Sequence, residues 1–178
     1  ESVADIKKET PDKIVVCTLK RPRHDKIVNT LNDMGVKINF ISDGDVSGVI
    51  SVADPNSKID MFIGTGGGPE GVLAAAALSC LNCQMQTRLV YQDEDEKLRA
   101  KKIGIKDLNR KYNIDEMIKD DVIFCATGVT DGDIVSGIRD KGDSFESETF
   151  VLHKSSKINK KVVSRVKKWI LLQFQEKT

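Results

Sequence analysis

The segment "IDMFIGTGGGPEGVLAAAALSCL" (59–81) decides the fold. Its first residues form an apolar run of strand length, and its glycines break that run. Pro69 then restarts the chain at the first position of a helix rich in alanine and leucine. A strand that ends in glycines and gives way to a helix is the repeating step of α/β proteins. The helix 69–81 is apolar nearly all round and is expected to be buried.

The same alternation extends on both sides. "KIVVCTL" (13–19) is a β-branched run, followed by "DKIVNTLNDMG" (25–35) with Ile27, Val28, Leu31 and Met34 at helical spacing and Gly35 as a C-cap. "VKINFI" (36–41) reads as a second strand, "VSGVISVA" (46–53) as a short helix, and Asp54-Pro55-Asn56 as a turn. Downstream, "QTRLVYQ" (86–92) reads as a strand, Asp93 to Lys102 as a solvated helix, and "DVIFCATG" (121–128) as a fifth strand. "ETFVLHK" (148–154), a Ser155-Ser156-Lys157 turn and "INKKVVSRV" read as a hairpin. "KKWILLQF" (167–174) fits edge strand or helix, with Trp169 as a core anchor or a partner surface. No repeat, low-complexity linker or internal boundary is visible, so one compact domain is expected.

The chain has 28 Lys+Arg against 27 Asp+Glu in 178 residues, which excludes a general polyanion surface and confines any anion site to a local cluster. No nucleic-acid or membrane partner is expected. No apolar stretch is long enough to span a bilayer, and a cytoplasmic protein is expected. Cys17, Cys80, Cys83 and Cys125 sit in apolar runs, which suits a reducing compartment. Cys80 and Cys83 form a C-x-x-C, but no second pair follows at zinc spacing, so packing at a helix end is favoured over a redox or structural-metal role.

Four strands end in polar or glycine-rich loops: "KRPRH" (20–24), "SDGD" (42–45), "GTGGGPEG" (64–71) and "ATGVTDGD" (126–133). Ligands of parallel α/β sheets bind outside the carboxyl ends of the strands, where these loops would converge. Pro22 keeps Arg21 extended, so Arg21 and Arg23 are suited to bidentate contact with phosphate oxygens; a solvated basic turn is the plainer reading. Asp43 and Asp45 flank Gly44 and suit sugar hydroxyls or a divalent cation, or only an Asp-Gly turn. In the fourth loop, Thr127, Thr130, Asp131 and Asp133 suggest structural support.

The third loop satisfies G-x-G-x-x-G from Gly66 to Gly71, with Asp93 further on, which is the dinucleotide reading. Glu70 stands against it. An ionised carboxylate in the first helical turn already answers the helix dipole where a pyrophosphate would sit, and it suits a cation better. A tight turn capped by Glu70 is the remaining option. No Lys-Ser/Thr follows the glycines, which counts against a P-loop.

Taken in order, with Asp43 22 residues after Arg21 and Glu70 27 after Asp43, the four motifs resemble the class II fructose-1,6-bisphosphatases, members of the metal-dependent, lithium-sensitive sugar phosphatase superfamily. The resemblance implies a layered α/β fold of sheets and helices and hydrolysis of fructose 1,6-bisphosphate to fructose 6-phosphate. It implies substrate contacts from Arg21, Pro22, Arg23, Asp43, Gly44, Asp45 and Gly67, and Mn²⁺ or Mg²⁺ held by Glu70. Chains of this family are about twice as long. Their other metal carboxylates and the threonine that helps activate water lie in an N-terminal half absent here, so no catalytic residue is assigned in this chain, including His24 and His153. Residues 1–178 are thus expected to be the C-terminal domain, inactive alone, with the N-terminal half as partner and a homo-oligomer as the assembly. A nucleotide-binding Rossmann-like module and a non-catalytic interaction domain are the rival expectations.

Overall fold

The computed structural model of the chain describes residues 2–42 and 44–168, with Asp45 described by its backbone alone. Trp169 and the rest of the "KKWILLQF" tail lie outside the described residues, as does Asp43. Two compact units follow one another, Glu1–Lys119 and Asp120–Thr178. The junction, Lys119-Asp120, carries none of the proline, glycine or serine enrichment that marks a linker in a sequence, so no boundary was visible there.

The first unit is built on three parallel strands, β1 (Val15–Leu19), β2 (Lys37–Ile41) and β3 (Met61–Phe62), in the order β2-β1-β3. β1 pairs with β2 along all five residues, from Val15 with Lys37 to Leu19 with Ile41. It meets β3 only at Val16 with Met61 and Cys17 with Phe62. Asp60 secures the start of that short pairing: its carboxylate accepts from the Val15 N–H at 2.8 Å and pairs with Lys7. Burial acts to raise the Asp60 carboxyl, but Lys7 and the Val15 N–H outweigh it and hold the group below the usual range.

Helices α1 (Ser2–Lys7), α2 (Asp25–Asp33), α3 (Asp45–Ser51) and α4 (Gly68–Cys80) cover this sheet. Alternation along the strands sends their side chains to opposite faces. On one face Val16, Ile14 and Val36 pack with Ala4 of α1, Leu31 of α2 and Met61. Phe62 instead joins Val49 of α3, Ala74 and Leu78 of α4, and Ile114. The result is a helix, sheet, helix sandwich, the α/β class expected. Gly48 lets α3 lie close to the sheet: a Cβ there would fall 2.6 Å from Ile41 Cδ1 and 2.9 Å from the Phe62 ring.

α4 is buried on all sides from Ala74 to Leu78, more than a full turn made mostly of alanines. The expectation that the whole helix is buried is corrected by Val72 and Leu73, which are 49% and 51% exposed. Polarity could not reveal this, because burial changes along the helix axis, from an exposed first half to a buried second half, and both halves are mostly apolar.

Past α4 the unit closes with β4 (Gln86–Arg88), α5 (Glu94–Lys102), β5 (Lys111–Asn113) and α6 (Ile114–Met117), β4 and β5 being antiparallel. Asp93 caps α5 by accepting from Glu96 N at 2.8 Å, and Asn113 with Glu116 forms a capping box at α6. The strand read over 86–92 is thus only three residues long, and Leu89 and Val90 are exposed.

In the second unit, β6 (Ile123–Thr127), β7 (Arg139–Asp140), β8 (Ser144–His153) and β9 (Ile158–Lys167) form an antiparallel sheet. β6 and β7 share one edge of β8, and β9 runs along the other for ten paired residues. The expected hairpin is present and begins four residues earlier than its apolar pattern, at the buried Ser144. Phe124, Phe150 and Leu152 form its buried side.

Candidate functional site

Parallel strands end on the same side of a sheet, so the loops after β1, β2 and β3 leave from one edge of the first unit. The order β2-β1-β3 places β1 between its two successors. One connection runs to one side and the next to the other, which creates a switch point between the carboxyl ends of β1 and β3. The loops flanking it are "KRPRH" and "GTGGG".

Those two loops are joined by direct contacts. Arg21 is extended, with φ −139 and ψ 141, as the following proline requires, and Pro22–His24 form one turn of 3₁₀ helix. Arg23 Nε donates to the Thr65 carbonyl at 2.7 Å, and the buried His24 ring reaches Thr65 N at 2.9 Å. Arg21 donates to the Lys20 carbonyl at 3.2 Å and is half-buried. The Lys20 N–H donates to the Ile41 carbonyl at 3.1 Å, which ties the first loop to the end of β2.

The second loop turns through Gly44, whose φ of +88 and ψ of 64 lie in the left-handed region that glycine tolerates. Ser47 Oγ donates to the Gly44 carbonyl at 2.9 Å as α3 begins at Asp45. Asp43 and the Asp45 side chain lie outside the described residues.

The third loop delivers Gly67 as the N-cap of α4 with Pro69 and Glu70 in the first turn. A Cβ on Gly67 would fall 2.2 Å from Glu70 Oε2. The carboxylate therefore folds back over the helix start and occupies the space that a side chain at 67 would take. Among the described residues, nothing accepts from the N–H groups of Gly66 and Gly67. A dinucleotide pyrophosphate would have to approach where the Glu70 carboxylate rests, so the geometry disfavours an anion at the start of α4. Among the described residues no three His, Cys, Asp or Glu side chains gather as a group that could hold a metal ion.

The fourth loop does not follow a strand of the parallel sheet as expected. It follows β6, an antiparallel strand of the second unit, because the β-branched run "VIFC" reads alike in either kind of sheet. Its residues 129–133 are exposed, and local hydrogen bonds hold it. Asp131 accepts from Gly137 N at 2.9 Å and from Arg139, which holds its carboxyl below the usual range, and Ser136 N donates to Glu148 at 2.7 Å. Gly128 has no room for a side chain, since a Cβ would lie 2.1 Å from the Ser136 carbonyl oxygen.

The four cysteines are free thiols. Cys83 packs beside the Val49 cluster with its thiol toward the Leu81 carbonyl, and burial pushes that thiol up, opposite to an activated redox cysteine. Cys125, read as part of an apolar run, is exposed. No helix among the described residues is long and apolar enough to cross a membrane.

His24 and Thr65 are the site residues that the sequence did not single out as such. The available signal was a histidine directly after an apolar strand and a basic turn, which reads equally as surface or core.

A doubly wound sheet with arginines and a glycine-rich helix start at its switch point belongs to the α/β class, in which ligands bind outside the carboxyl ends of the strands. The chain belongs to the family described as bacterial fructose-1,6-bisphosphatase, glpX-encoded, whose model matches residues 1–166. It is 34% identical over 165 residues to a fructose-1,6-bisphosphatase class 2 of Haemophilus influenzae, covering 85% of this chain and 49% of that protein. It is also similar to two proteins named D-fructose 1,6-bisphosphatase class 2/sedoheptulose 1,7-bisphosphatase. That of Crocosphaera subtropica is 34% identical over 83% of this chain and 47% of its own length. That of Trichodesmium erythraeum is 33% identical over 82% and 46%. The chain spans about half the length of these relatives.

Proposed function

We propose that this chain supplies the substrate-binding half of an enzyme that hydrolyses the 1-phosphate of fructose 1,6-bisphosphate, working with an N-terminal half of the kind its relatives carry. The observation that carries the reading is the joined pair of loops at the switch point, which brings Arg21, Arg23, the glycine N–H groups and Glu70 to one edge of the sheet. Arg21 and Arg23 neutralise phosphate charge, with Arg23 held through Nε so that its Nη groups face outward for a bidentate contact. Asp43 and Asp45 orient sugar hydroxyls across the turn at Gly44, and Gly67 brings backbone close to the ligand.

Glu70 fits a role as one ligand of Mn²⁺ or Mg²⁺, being a hard oxygen donor cradled over a glycine, and the remaining ligands come from the other half. Such a metal, when bound, polarises phosphoryl oxygens and lowers the pKa of a coordinated water. The residues here bind and align the sugar phosphate, and the reading places the protein in the cytoplasm.

Phosphate release with Mn²⁺ tests this. The 178-residue chain alone should release none, and the two halves together should release phosphate in a Glu70-dependent way. Wild-type turnover by Glu70→Ala at subsaturating metal would refute the metal role. Saturable binding of NAD or AMP in place of the sugar bisphosphate would refute the substrate.

A further inference from the structure

His24 is wholly buried, at 0% exposure, yet its ring belongs to neither hydrophobic cluster. Nε2 lies 2.9 Å from Thr65 N, while Nδ1 lies 2.9 Å from the Leu19 carbonyl and 3.4 Å from Thr18 Oγ1. Nε2 also lies 3.3 Å from the Thr65 carbonyl, but the closer Thr65 N–H can only donate, so Nε2 presents its lone pair to that N–H and the ring proton sits on Nδ1, where it donates to the Leu19 carbonyl. One tautomer satisfies both ends at once. The ring is then a bridge from the last residue of β1 to the loop that follows β3, across a pairing only two residues long.

Arg23 completes the grip. Thr65 offers its N–H to His24 and its carbonyl to Arg23, so two consecutive peptide planes are held from the first loop. Planarity carries that constraint into Gly66, whose N–H is fixed opposite the Thr65 carbonyl. Gly64 makes the close approach possible, since a Cβ there would already touch the Phe62 ring at 3.2 Å and His24 Cε1 at 3.5 Å.

We propose that His24 is a positioning residue: as the Nδ1–H tautomer it sets the glycine N–H groups of the third loop in register with the arginines of the first, without itself touching substrate. The proposal rests on the function proposed above for the choice of ligand, but its geometry can be read independently.

Two substitutions divide the bridge. His24→Gln places an amide oxygen near Nε2 and keeps an acceptor for Thr65 N, whereas His24→Asn reaches only as far as Nδ1 and keeps the Leu19 contact alone. In the 178-residue chain, long-range proton–nitrogen spectra should show one histidine as the Nδ1–H tautomer. The amide signals of Thr65 to Gly68 should shift in Asn and stay near wild type in Gln. Titration with fructose 1,6-bisphosphate should give binding about tenfold weaker for Asn and within threefold of wild type for Gln, about one hydrogen bond in size. In the two-half enzyme the Asn loss should appear in KM more than in kcat.

An Nε2–H tautomer at His24 itself, told from His153 by its loss in the His24 variants, or glycine amides that move alike in both variants, overturns the proposal. If the wild-type chain binds no sugar bisphosphate, the proposed function fails, and the amide shifts still decide the role of His24.

Discussion

Replacing Gly67 with alanine separates the fold of the helix start from the placement of Glu70. The backbone at Gly67 has φ −69 and ψ 156, a region open to any residue, so alanine introduces no strain. Two small effects oppose one another. A less flexible unfolded chain stabilises by about 0.4–1 kcal/mol, and alanine is a poorer N-cap than glycine by a comparable amount. The melting temperature should stay within about 4 °C of wild type.

The new Cβ, however, would sit 2.2 Å from Glu70 Oε2, against the roughly 3.5 Å that unbonded heavy atoms keep. The obstructing atom is the far end of a flexible side chain, so the carboxylate yields and the backbone does not. Under the metal role proposed for Glu70, a withdrawal of about 1 Å should cost on the order of a hundredfold in kcat/KM. The assay is phosphate release from fructose 1,6-bisphosphate by the two-half enzyme across a Mn²⁺ titration, beside a thermal melt. Unchanged activity with an unchanged melt would refute the link between Gly67 and Glu70. A melt lowered by more than about 10 °C would show that alanine disturbs the backbone instead.

Leu152 is wholly buried in β8, and Leu152→Ala should destabilise the second unit by about 2–5 kcal/mol, read as a lower urea midpoint; a loss below about 1 kcal/mol would place that unit's core elsewhere. Asp121 is held down to about 2, from an ordinary 3.8, by hydrogen bonds from Ser155 first and then from His153 and the Val122 N–H. Its folded pKa lies below its unfolded one, so its contribution is complete above pH 3.8 and fades as the pH falls toward 2. Asp121→Asn should flatten the drop in urea midpoint over that acid window, and an unaltered acid profile would count against the assignment.

The parallel half was legible because its patterns are redundant. Val15 to Leu19 is β-branched and apolar, Gly35 ends α2 at φ +74, and Pro69 opens α4, so each boundary is signalled twice. The second unit was less legible because pairing direction leaves no mark on a strand. β7, Arg139–Asp140, is short and polar, and it exists through its partner β8 rather than through its own residues. In the site, Arg21 and Glu70 announced themselves by charge beside proline and glycine. His24 did not, since its role depends on Thr65, 41 residues away in the chain.

The long hairpin of β8 and β9 has a bearing on how the chain acquires its structure. Its ten cross-strand pairs all fan out from the turn at residues 154–157, so each closes a loop barely larger than the last. Joining β1 to β3, by contrast, must first bring together residues 45 apart, Val16 and Met61, for only two pairs in return. Loop-closure entropy therefore favours zippering of the C-terminal hairpin early and completion of the switch point late. The edge that holds the ligand loops is the part of the topology with the longest wait for its reward.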